Sequence, residues 1–211
     1  MHRTGLGLGI LVATAIALGA CARGGEGRMS PLPGGRQSPL LSPVTISPVA
    51  WPEPPTQRYP LTVDLEAATL GPQDFPGLAP HYQIRTVFND EVSSGIQVIY
   101  PTAEGRYHPF AEGFSTELRV FADPARVPSA YSEYLLRLPG LAHPLPGPAD
   151  VAHRAVVEEP GDGGRTVWGH YVVFAHGNLI GYIRIRIGRP LSDRDLQDKI
   201  SAILARLGGH R

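Results

Sequence analysis

The chain has 211 residues, with 19 basic and 19 acidic side chains and a formal net charge of zero. A balanced charge leaves no basic excess to neutralise phosphates, so the electrostatic footprint of a nucleic-acid binder is absent. The single cysteine excludes an intrachain disulfide and a cysteine-based zinc site, while a 42% hydrophobic fraction suffices for a folded core.

Arg3 and Thr4 precede an uncharged, mostly apolar run from Gly5 to Ala17. That run is shorter than the about 20 residues of a membrane-spanning helix and fits the apolar core of a secretory signal peptide. It ends in Leu18-Gly19-Ala20-Cys21, which resembles the lipobox of bacterial lipoproteins. The resemblance implies a diacylglycerol with palmitate-type chains on the Cys21 thiol, and removal of residues 1–20 as signal peptide. It also implies an extracytoplasmic protein of the bacterial envelope, held to the cell membrane by lipid. Each buried CH₂ contributes about 0.8 kcal/mol, so several acyl chains anchor where one binds reversibly.

Residues 21–60 are punctured by Gly24, Gly25, Gly34 and Gly35, and by prolines from Pro31 to Pro60. Proline removes backbone donors and fixes φ, so this stretch is expected to be a disordered tether reaching on the order of 100 Å when extended. Trp51, near its end, is expected to fold back onto the domain rather than meet a partner.

A single globular domain is expected over 61–211. Leu61 to Leu65 alternates as a half-buried strand. His81 to Phe88 and Gly95 to Tyr100 read as a hairpin, and Phe114 to Phe121 as a further strand. Asp123-Pro124 offers a cap before a helix over 128–138, whose Tyr131, Tyr134, Leu135 and Leu138 share a face. A proline-rich loop covers His143 to Pro148. Val151 to Val157, Thr166 to Phe174 and Leu179 to Ile187 are three more strands around the turns at Pro160–Gly164 and His176–Asn178. In the last strand Leu179, Gly181, Ile183, Ile185 and Ile187 point to a buried face, and Tyr182, Arg184 and Arg186 to a wet one. Ser192 with Asp195 caps a helix over 192–207 whose apolar stripe is Leu196, Ile200, Ile203, Leu204 and Leu207. The expected class is α+β, a mostly antiparallel sheet of about six to seven strands with two helices packed on one face. The hairpin 166–187 followed by helix 192–207 is loosely similar to extracytoplasmic sandwiches of the PsbP type.

Chemistry is sparse. His153, His170 and His176 fall in or beside three consecutive strands, and a suitable register would let His153 face His170. No His-x-His or His-Glu-x-x-His spacing accompanies them, so neither a metal site nor a cofactor is expected. Neither Gly-x-Ser-x-Gly nor Ser-x-x-Lys occurs. Glu158, Glu159 and Asp162 read as a solvated hairpin tip. Two surfaces remain as candidates for a ligand or partner. One is the loop carrying Arg106, Tyr107 and His108. The other is the stripe Tyr182, Arg184 and Arg186, which suits an anionic partner or else keeps a sheet face soluble. The expected function is a non-enzymatic binding module for an envelope protein or cell-wall component. The alternatives are a carrier or sensor of a small apolar or lipidic ligand, and an exported hydrolase of unrecognised type.

Overall fold

A computed structural model describes residues 51, 57–76, 78, 80, 82–101, 112–161 and 164–208. Its strands are β1 (Ile84–Asn89), β2 (Ser93–Pro101), β3 (Gly113–Phe121), β4 (His143–Pro144), β5 (Val151–Pro160), β6 (Thr166–His176) and β7 (Leu179–Ile187). They form one antiparallel sheet in the order β1-β2-β3-β7-β6-β5-β4. The helices are α1 (Leu65–Ala68), α2 (Val127–Leu135) and α3 (Asp193–Gly208). The fold is therefore α+β.

Seven strands are present, but not the seven expected. Leu61 to Leu65 is not a strand: Asp64 accepts a hydrogen bond from the Ala67 amide at 3.0 Å and starts α1. A side-chain cap ahead of good helix formers outweighs five residues of alternation. In exchange, His143-Pro144, expected in a loop, makes the short edge strand β4 beside β5. Proline is tolerated there because an edge strand needs only one row of donors.

The two longer helices do not share a face. α3 inserts Leu196, Ile200, Ile203 and Leu207 against Val172, Phe174, Leu179, Ile183 and Ile185. α2 sets Val127, Tyr131, Tyr134 and Leu135 against Tyr171, Val173, Ala175 and Ile180. Neighbouring strand residues point to opposite faces, so the helices sandwich the sheet at β6 and β7. The expectation of one wet face on β7 fails for the same reason, and Arg186 is only 4% exposed. The Val172–Ala175 run, apolar at every position, is the mark of a strand covered on both sides.

α3 begins as its sequence indicates. Ser192 Oγ accepts the Asp195 amide at 3.2 Å, while Asp195 Oδ2 accepts the Ser192 amide at 2.9 Å and hydroxyl at 2.8 Å. Ser192→Ala removes the hydroxyl side of this box and is expected to lower stability by about 1 kcal/mol in urea unfolding.

The N-terminal chain is held where it reaches the sheet. Asn178, 3% exposed, accepts the Tyr59 amide at 2.7 Å and donates to the Tyr59 and Phe121 carbonyls at 2.9 and 2.7 Å. Tyr59 thereby joins the α3-side core, two residues ahead of the expected start at 61. Gly177 has φ +62°, and a Cβ there would lie 2.1 Å from the Gln57 carbonyl oxygen. Trp51 packs edge-on to Tyr131 at 5.5 Å, the fold-back expected of it.

Candidate functional site

Cys21, Arg106, Tyr107, His108 and Asp162 lie outside the described residues. Tyr182, Arg184 and Arg186 fall together on the α2 side of β7, where neighbouring groups engage them. Glu159 is the centre of one cluster: it pairs with Arg186 at 2.7 Å and accepts the Tyr171 hydroxyl at 2.5 Å. Arg184 lies over the Tyr171 ring at 5.6 Å. Gly169 makes room for this arrangement, since a Cβ there would meet Glu159 Oε1 at 2.6 Å and Tyr171 Cε2 at 2.9 Å. Burial, then the hydrogen bond to Glu159, pushes the Tyr171 hydroxyl up to about 12, so it serves as a donor at neutral pH. Glu159 therefore does not belong to a solvated hairpin tip, although Glu158 is exposed. The tip reading misses it because alternate residues of β5 turn Glu159 inward over a glycine.

A second carboxylate does similar work one row along. Glu117, opposite Tyr182, accepts the Tyr134 hydroxyl and lies 3.6 Å from Arg137, which covers the Tyr134 ring. Tyr134 is raised by burial first and by Glu117 second. The Glu159 cluster thus ties β5, β6 and β7 to one another, while Glu117 ties Tyr134 of α2 to β3.

The histidines separate. The register sets His153 opposite Val173 and His170 opposite Val156, so the two lie on opposite faces and do not meet. His153 Nδ1 contacts the Tyr131 hydroxyl at 2.8 Å, and His176 Nδ1 sits 3.1 Å from Asp150. Among the described residues no three metal-binding side chains gather.

His170 is buried beneath the segment joining β7 to α3, and its Nε2 accepts the Leu191 amide at 3.0 Å. Only the neutral ring can accept there. Burial depresses its pKa below the ordinary 6.5 and Arg154 adds to this, against opposing contributions from the Arg189 backbone and Asp195. With the folded value lowered, the stability is fully present above about pH 6.5. It is lost as pH falls through the folded value, because the unfolded chain takes up the proton first. His153, lowered by burial, acts in the same direction. His170→Gln keeps an acceptor for Leu191 but cannot titrate. Its unfolding free energy is expected to fall less between pH 7.5 and 5 than that of the natural chain, and equal slopes would refute the assignment.

Beside that segment lies a recess of about 550 Å³. Phe75, Pro76, Leu78, Ile187 and Leu191 supply its apolar lining, and Asp74, Glu112, Arg189, Asp195 and Lys199 its charged lining. Its volume falls within the roughly 300–1,000 Å³ of small-molecule sites. Sequence reasoning missed these residues because they come from four separated stretches. The one available signal was Lys199, the only lysine in the chain, set beside the apolar stripe of α3.

No protein-family model matches the chain, and no curated protein or solved structure matches it.

Proposed function

We propose that this is an exported envelope protein, lipid-anchored through Cys21, whose domain is a non-enzymatic binding module working at the recess. The observation that supports this reading is the placement of the recess relative to the incoming chain. Tyr59 is clamped at the turn that opens β7, whereas Ile187 and Gly188 at the far end of the strand line the recess. The nine residues of β7 put the two ends roughly 30 Å apart. The clamp on Tyr59 and the recess thus lie at opposite ends of β7.

Among the described residues this recess offers the space that a carrier of a small ligand would need. Leu196, Ile200 and Ile203 are at most 1% exposed against the sheet, so α3 and the strands beneath it are closely packed. Two measurements test the proposal. Labelled palmitate should enter the natural chain and not Cys21→Ser. Native mass spectrometry of exported Cys21→Ser should show a retained or added small ligand that substitutions in the recess abolish. Failure of labelling refutes the anchor, and ligand retention indifferent to the recess refutes the site.

A further inference from the structure

We infer that the outer edge of β1 is a homodimer interface, which pairs antiparallel with β1 of a second copy about a twofold axis at Val87. The inference is independent of the recess and of the anchor.

The two edges of the sheet differ. β4 ends one side with two residues, of which Pro144 has no amide to offer. β1 ends the other side with six residues and no proline. Short strands, prolines and charges are the usual means of blunting an edge. The one charge in β1, Arg85, pairs with Glu66 of its own chain at 2.7 Å.

The phase of the β1–β2 ladder fixes which backbone groups are left over. The Asp90 amide donates to the Ser93 carbonyl at 2.9 Å across the hairpin turn, and successive residues of a strand bond to alternate sides. Asn89, Val87 and Arg85 therefore turn their N–H and C=O groups away from β2, and the described residues supply no partner for them there. The side chains point to the same place. Val87 pairs with Ile96, and Ile96 with Leu118, in one row on the α3 side of the sheet. Ile96 and Leu118 are buried, whereas Val87 is 51% exposed, so the apolar row runs out uncovered at the middle of the edge.

A second copy satisfies the backbone and the side chains together. With the axis at Val87, Val87 faces the partner's Val87 and Arg85 faces the partner's Asn89, so every outward N–H and C=O of these residues finds its opposite. Sliding the register by two residues would set either Arg85 or Asn89 opposite a residue outside the strand. In the central register no like charges stand opposite each other, and Phe88 faces the partner's Thr86 on the other side of the sheet. The two valines carry the row Leu118–Ile96 across the axis as one apolar line. A net charge of zero adds no general repulsion between copies. A foreign extended segment would use the same backbone groups, but the valine midway between Arg85 and Asn89 makes the strand complementary to itself.

The test is sedimentation velocity of the full Cys21→Ser chain from about 1 to 100 µM. A species of twice the monomer mass should grow with concentration, and hydrogen exchange at the Arg85, Val87 and Asn89 amides should slow as it forms. Val87→Lys and Val87→Glu each set like charges on the axis and are expected to weaken the dimer at least about tenfold. Val87 is exposed and its backbone groups face outward, so at low concentration both variants should unfold in urea as the natural chain does. Mixed together, the two variants should form a heterodimer, because a twofold at residue 87 brings opposite charges face to face. A monomer throughout the range, a dimer indifferent to both substitutions, or a mixture that stays monomeric overturns the inference. A foreign peptide found on this edge in the purified chain overturns it as well.

Discussion

Asn178→Ala is expected to lower the unfolding free energy by about 3–5 kcal/mol, a large share of the roughly 5–15 kcal/mol that holds a domain together. The asparagine side chain makes three buried hydrogen bonds, all to backbone groups, with Tyr59 and Phe121 as partners. Alanine leaves one amide and two carbonyls without these partners, and an unsatisfied buried group costs about 1–3 kcal/mol. Asn178→Asp keeps an acceptor for the Tyr59 amide but sets a carboxylate against two carbonyl oxygens, so it should fare no better than alanine. Both variants should also release the incoming chain, making the exposed Arg58 a faster site of tryptic cleavage. Urea unfolding together with limited trypsin digestion checks this, and a loss below about 1 kcal/mol would mean the clamp is incidental.

The second large effect belongs to the Glu159 cluster. Glu159→Ala removes the carboxylate beside an arginine that is 4% exposed and takes away the acceptor of the Tyr171 hydroxyl. Breaking a buried pair from one side costs about 3–5 kcal/mol, because a charge is left in a poorly solvating place. Replacing both charges is a different matter. Glu159→Ala with Arg186→Met removes both desolvation penalties, and the double variant is expected to recover most of the loss. A double-mutant cycle in urea measures this directly. If the single and double variants are equally destabilised, the pair is not what stabilises this part of the sheet.

Much of the fold was legible because it is written in short-range pattern. The spacing of Leu196, Ile200, Ile203 and Leu207 and the Ser192–Asp195 box specify α3 without reference to anything distant. The turn at His176–Asn178 likewise sets β6 against β7. The stripe Tyr182, Arg184, Arg186 was correctly placed on one side of β7, yet its surroundings were not legible. Periodicity says which residues share a face, and not whether a helix will cover that face.

The candidate site was the least legible part. Phe75, Glu112, Arg189 and Lys199 come from separated stretches of the chain and carry no motif, because a recess assembled by packing requires no fixed spacing. The sequence by itself determined the strands of the two hairpins, the start and stripe of α3, the charge balance and the placement of the only cysteine after an apolar run. Tertiary structure decided that α2 and α3 take opposite faces, that His153 and His170 point apart, and that Asn178 holds the incoming chain. It also brought the charged walls of the recess together. The reason is physical: local pattern fixes the conformation of a segment through its own backbone and nearest side chains. Which faces meet depends on burying apolar area and pairing buried charge across the whole sheet, and that sum exists only when all the segments are present.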